Sequence, residues 1–458
     1  MAALDGTALN SAAAIGVEME KLKDTVYPQF NQDDTFLSRV PVRNDLKVSA
    51  RLCRIPLLVQ PGSTFAQFVP DGTSDSMGTG GGSIYDEGVA TPVYFVQSCQ
   101  VTKEAEWATN SDEKAIVNVF KEEFKTNLRQ FRTNIEALMA SSTGAGDLAF
   151  VAVTPSASNA QNYLQVTNAN NFQAGCTYQV LAGAVGQTSR GNILVNTVDL
   201  INNILYLTTI NGYYYPQGTT ANDTLVVSGT TGAATGSYAP DRYTSATVAA
   251  SLNGVPAINY QSTTGSWFGI PRTTYPGVLN TPYVSGASGA LTPQQIILLQ
   301  SLIQRANGAE AEELDEFVCQ ANVDQVTAWE SIGLFSSSTS GNAVTAFTNK
   351  SKAGEGDDTR PDFLNKNRVK TLAGHELITN IKARPSRVDL MVLKYWFRIE
   401  TKPASLFDVD GVTVFPLYGS DGGVAPTQAF YFVTGLQMAN QKARAGGYID
   451  TLALPTGF

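Results

Sequence analysis

The chain is poor in the residues that most enzyme chemistry needs. Of its 458 residues one is a histidine, His375, in the run TLAGHELITN. A catalytic triad would need that imidazole poised against a serine or cysteine, and a metal site would need further ligands beside it. The surrounding run alternates like a strand and offers neither, so His375 reads as facing solvent or an interface. The four cysteines, Cys53, Cys99, Cys176 and Cys319, lie far apart with no C-x-x-C pair, which points to reduced thiols rather than zinc or disulfides. DVDG at 408–411 begins like a calcium loop but lacks the third acidic position and the closing glutamate. No run of about 20 apolar residues exists to span a membrane. Asp5 stands where a signal peptide would be basic, which implies a soluble, unexported product. No catalytic residue, metal or cofactor is expected, and the reading is of a protein that is not an enzyme.

Charge is scarce as well. Charged residues make up 16% of the chain, below the usual ~25%, and the balance is acidic at −9. A dedicated nucleic-acid binder works by neutralising phosphates, so this balance excludes one, though not a protein that merely encloses nucleic acid. Positive charge is absent altogether from Ile55 to Thr102. Within that stretch DGTSDSMGTGGGSIYDEGVATP carries six glycines, among them Gly78, Gly80, Gly81 and Gly82, with Asp71, Asp75, Asp86 and Glu87 around them. A phosphate cradle needs a helix start behind it and usually a lysine, and four carboxylates would repel the ligand. The stretch therefore reads as the long, mobile tip of a hairpin.

What is present is organised in blocks. Residues 10–26 carry apolar positions at helical spacing and form an arm helix, broken by Pro28. Residues 45–59 and 91–101 read as the two strands of the hairpin, which cannot be stable alone and needs something to lie on. Residues 111–142 carry the strongest helical stripe, with Phe120, Phe124, Leu128 and Phe131 among its core positions. The opposite face, which includes Glu136, reads as solvated and salt-bridged. From 146 to 264 charges nearly vanish and short β runs alternate with turn signals such as Asn202-Asn203, Asn211-Gly212 and Asn253-Gly254, which predicts a small sandwich or barrel inserted as a module. TPQQ at 292–295 is a capping box with proline at the first helical position. The remainder is β, with a tight hairpin at Asp410-Gly411.

This order of elements, with the wording FLSRVPVRNDLKVSARLCRIPL and MANQKARAGGYIDTLALPTGF, resembles the tailed-bacteriophage major capsid protein family of the Hong Kong 97 type. The resemblance implies an α+β fold. It divides the chain into an N-terminal arm (1–55), an extended loop (56–102), a peripheral domain with a spine helix (103–145), an inserted β domain (146–264), an axial domain (265–365) and a β return (366–458). It implies a structural protein of the virion, assembled in the bacterial cytoplasm as hexamers and pentamers of an icosahedral shell. Such a shell encloses double-stranded DNA without specific binding, with separate scaffolding and portal proteins and, in some members, decoration proteins as partners. The short arm leaves no room for a built-in scaffolding segment, and with no lysine on the extended loop the covalent cross-linking of some members is not available. Two other readings remain: an encapsulin-like compartment, and a tail or decoration protein, favoured by the β-rich middle. In the family the extended loop lies across the next subunit. Residues 366–402 carry nine basic residues against three acidic, including Lys382, Arg384 and Arg387. The expectation is that the acidic loop docks on that basic region.

Overall fold

The computed structural model describes residues 36–45, 47–49, 52–62, 81–102, 119–156, 160–183, 189–227, 251–307, 317–327, 371–372, 375–418 and 424–453. The expected arm helix lies outside them. So do Asp71, Asp75, Gly78 and Gly80.

The hairpin is built from different strands than the sequence suggests. In an antiparallel sheet β1 (Lys47–Ser49) flanks β2 (Leu52–Gln60), which pairs with β3 (Ile84–Ala90). The glycine-rich stretch thus supplies a strand of its own, IYDEGVA, whose Asp, Glu and Gly are poor strand formers and hide it from a propensity reading. The run expected to return along β2 becomes β4 (Val93–Thr102). It leaves the hairpin and pairs antiparallel with the 17-residue β20 (Val424–Asn440).

The helical stripe forms α1 (Val119–Ser141). Phe131, Ile135 and Leu138 are buried, Phe124 and Leu128 pack half-buried on the same core, and of Phe120 only its place in the helix is described. Beneath α1 lies the sheet of β4, β20, β18 (Trp396–Leu406) and β19 (Val414–Tyr418). Phe124 and Phe131 meet Phe432 of β20 at ring distances of 5.1 and 6.2 Å. Glu136, on the face read as solvated, is instead fully buried. Asp410 and Gly411 (φ 53° and 83°) take the left-handed conformation that a two-residue hairpin turn requires, with Val409 and Val412 bridged across it.

After α1 come six antiparallel strands: β5 (Asp147–Phe150), β6 (Tyr163–Gln165), β7 (Thr177–Leu181), β8 (Ser189–Asp199), β9 (Ile204–Thr208) and β10 (Thr224–Val227). Their spatial order is β5-β10-β7-β8-β9-β6. The two edges then meet. Val151 bridges Val166, Ala152 N donates to Gln165 O at 2.8 Å, and Thr167 N donates to Phe150 O at 2.9 Å. The strands close into a barrel filled by Leu148, Leu164, Val180, Ile193, Leu205 and Leu225. Closure removes the exposed edges that would invite aggregation. Entry and exit chains lie together: Ser251 N donates to Gly144 O at 2.9 Å, and Gly254 N to Ser142 O at 3.1 Å. Asn253-Gly254 is no hairpin turn, since Gly254 caps a short helix, α2 (Val255–Ile258). The barrel interior and the core under α1 form one continuous apolar cluster.

Two short strands, β11 (Ser266–Trp267) and β12 (Ile270–Pro271), and a single turn of helix, α3 (Pro276–Leu279), precede a mixed six-stranded sheet. Its order is β13 (Tyr283–Ser285), β21 (Gly447–Asp450), β17 (Val388–Val392), β14 (Phe317–Ala321), β16 (His375–Thr379) and β15 (Thr371–Leu372). On it packs α4 (Pro293–Asn307) through Ile296, Leu299 and Ile303. The capping box forms as read from the sequence: Gln295 N donates to Thr292 Oγ1 at 3.4 Å, while Thr292 N donates to Gln295 Oε1 at 2.9 Å. Among the described residues no helix is long and apolar enough to cross a membrane.

Candidate functional site

The two faces of the β2–β3 hairpin differ in kind. One face turns Cys53, Ile55 and Leu57 onto Trp267, Ile270, Leu279, Phe397 and Ile399 of the same chain. Each such side chain contributes about 1.5–3 kcal/mol on burial, which supplies the support that an isolated hairpin lacks. Gly88 makes the close approach possible, since a Cβ there would sit 2.7 Å from Trp267 Cζ3. The segment carrying Trp267 is clamped by Arg272, itself buried. Its guanidinium donates to the carbonyls of Tyr260 (2.8 Å), Ala257 (3.3 Å), Ile258 (3.4 Å) and Leu279, at the ends of α2 and α3. Burial drags this guanidinium down to about 10.

The other face is open and largely apolar. Leu58 is 57% exposed and lies opposite Tyr85, which is 73% exposed; Val89 is exposed with them. Pro56 stands on the same face opposite Glu87. Gly81 and Gly82 lie just ahead of β3, with open space around them. A second open surface lies on the sheet opposite α1. There Tyr94 and Val96 of β4 and Phe407 are exposed, and Phe415 links the rings of Phe407 and Tyr431 at 6.0 and 5.9 Å.

Among the described residues, the charges expected to join loop and neighbour have partners inside the chain. Arg54, just ahead of the stretch without bases, pairs with Glu87 at 2.9 Å. Asp86 accepts the N–H of Glu87 at 2.8 Å and bonds with the Tyr275 side chain. Lys382 is buried, with Nζ donating to Asn170 O. Arg384 donates to Ser141 O at 2.8 Å and pairs with the buried Asp147. Arg387, 3% exposed, pairs with Asp389 at 2.8 Å, bonds Asn259 O and stacks over Tyr448 at 4.0 Å. Three bases that look like a surface patch in sequence are thus the polar pins of the interior. Giving up these internal partners would cost several kcal/mol.

Sequence reasoning missed Arg54, which lay outside the window counted, and the apolar outer face, whose residues alternate with the polar pair. It also missed the buried role of Glu136, for which nothing in the local pattern is a signal.

No family model matches the chain, and no curated protein matches it by sequence. Solved structures match its fold over nearly the whole length. The capsid asymmetric unit of cyanophage A-1(L) is similar at a TM-score of 0.53 and 11% identity, over 94% of this chain and 96% of that one. Lower likenesses are to the capsid of a native GTA particle (TM-score 0.44, 10% identity, 96% and 98% covered) and to the holo-SrpI encapsulin complex from Synechococcus elongatus PCC 7942 (0.43, 9%, 97% and 96%). With α1 laid on the β4–β20 sheet and a second mixed sheet beyond it, the chain has the mixed α+β fold of a phage capsid subunit.

Proposed function

We propose that this protein is the major capsid protein of a tailed double-stranded DNA bacteriophage, a subunit that assembles into an icosahedral shell around the genome. The observation that carries the reading is the fold shared with the cyanophage capsid subunit along both chains. The reading takes the Hong Kong 97 arrangement: an arm, β2–β3 as the extended loop, α1 as the spine helix, a peripheral sheet, an axial sheet with α4, and the barrel as an inserted domain. It places the protein in the virion, with scaffolding, portal and decoration proteins as separate chains.

In this reading the extended loop joins subunits through its apolar face. Leu58, Tyr85 and Val89 are exposed on a hairpin whose other face is already filled, and a lone subunit leaves them in water. A neighbouring copy covers them. Electron microscopy of the expressed protein tests the reading: closed shells support it, and shells that hold protein cargo without DNA overturn it in favour of a compartment. Leu58→Asp with Tyr85→Asp tests the loop, because exposed positions tolerate charge in the folded subunit. Folded subunits that no longer assemble are expected. Normal particles from the double variant would refute the apolar contact.

A further inference from the structure

The root of the arm is inserted into the core of its own chain. Phe36 and Val40 are buried with the residues under α1, and one helical turn forms as Arg39 N and Val40 N donate to Phe36 O at 3.0 and 3.3 Å. The N–H groups at the start of that turn have no partner within it. Glu136 of α1, fully buried, takes them: Phe36 N donates to Oε1 at 3.0 Å and Leu37 N to Oε2 at 2.6 Å. Oε1 also accepts from Asn380 Nδ2 at 2.7 Å.

Asn380 opens a turn whose polar groups are fastened to several parts of the fold. Its Oδ1 accepts from Lys382 N at 2.8 Å. The carbonyl of Ala383 accepts from Asn322 Nδ2 at 2.7 Å, and that of Ile381 from Asn168 Nδ2 at 3.0 Å. Lys382 Nζ donates to Asn170 O, and Arg384 pairs with Asp147. Asn168, Asn170 and Asp147 all belong to the barrel. One run of buried and part-buried hydrogen bonds therefore leads from the arm root, through a carboxylate near the C-terminal end of α1, to the barrel wall.

We propose that this run is a mechanical relay: the seating of residues 36–37 on Glu136 holds the 380–384 turn in place, and that turn holds the barrel at 168–171. The physical cause is the carboxylate. If the arm root withdraws, a buried carboxylate loses two donors and shifts toward its remaining partners, Asn380 among them, or draws in water, since losing donors in the interior is costly. Either response disturbs the turn on which the barrel rests. The relay is a property of one chain and does not depend on the shell reading. Glu136 is a positioning residue in it.

Hydrogen exchange followed by mass spectrometry on the full chain tests the relay. Glu136→Gln keeps the shape but turns an NH2 group toward donors. It is expected to speed exchange at 36–40, 380–384 and 168–172 by about tenfold or more, the factor for losing a hydrogen bond to a charged group, and to leave β9 unchanged. Arg39→Ala removes only the surface pairing of the arm root with Glu376 and should alter 36–40 alone. If Glu136→Gln loosens 36–40 while 168–172 keeps its native rate, or if exchange rises uniformly through the chain, the relay is overturned. Should that variant fail to fold, Lys382→Met approaches from the other end. Coupling is reciprocal, so it must loosen 36–40; native exchange there overturns the proposal equally.

Discussion

Truncating Phe432 to alanine would remove the ring on which α1 rests. Phe432 is 1% exposed, and its ring lies 5.1 Å from Phe124, 6.2 Å from Phe131 and 5.7 Å from Phe430. Phe→Ala in a packed core costs about 3–5 kcal/mol, because the cavity only partly collapses. The lost ring pairs, worth about 0.5–1.5 kcal/mol, push the value toward the upper end. Total stabilities run at about 5–15 kcal/mol, so the variant would fold with a thin margin. Urea unfolding of the unassembled subunit, followed by circular dichroism, measures the loss. With a slope of about 3 kcal/mol/M, a loss of about 4 kcal/mol lowers the midpoint by roughly 1.3 M. Tyr94→Ala, on the open side of the same sheet, is the matched comparison and should cost no more than about 1 kcal/mol. A Phe432→Ala loss below about 1 kcal/mol, or one equal to that of Tyr94→Ala, would refute the assignment of this ring cluster as the joint between helix and sheet.

Gly88→Ala should strain the hairpin seat by about 1–3 kcal/mol, because the added methyl meets Trp267 at 2.7 Å; a shift in tryptophan emission, absent for Gly82→Ala in open space, is the readout. Burial pushes the Tyr178 phenol well above its usual value of 10, followed by the effect of nearby Cys176. A group held protonated by the fold lends stability that is complete below pH 10 and is lost as pH rises beyond it. Denaturant titrations from pH 9 upward should therefore show falling stability, and Tyr178→Phe should flatten the decline; an unchanged slope counts against the buried phenol. Burial likewise pushes up the Cys319 thiol, so it should resist thiol reagents at pH 8 until the chain unfolds, and labelling of Cys319 in the native protein would contradict its place in β14.

Elements governed by neighbours a few residues away were legible in the sequence. The Thr292–Gln295 box, the Asp410-Gly411 turn, the stripe of α1 and the short strands of the barrel depend on local hydrogen bonds and side-chain spacing, and the amino-acid order carries those directly. Pairing was decided elsewhere. The run at 91–101 has strand composition, but only the tertiary fold sends it to β20 instead of back along β2, because β3 already occupies that edge. Barrel closure is likewise non-local, since it joins the two edges of a sheet whose strands are not in chain order. Buried charge was the least legible. Lys382, Arg387 and Glu136, and the largely covered Arg384, carry no local mark of burial, and a charge stays in water unless the fold gathers partners around it. Lys382 finds Asn170 O 212 positions away, Arg384 finds Asp147 237 away, and Glu136 finds Asn380 244 away and the N–H groups of Phe36 and Leu37 about 100 away. Arg387, by contrast, pairs with Asp389 two positions on and owes its burial to Asn259 and Tyr448. Composition and order determined the local elements, and long-range packing decided which charges stay in water and which hold the fold together, because only partners that the fold gathers can offset the cost of burying a charge.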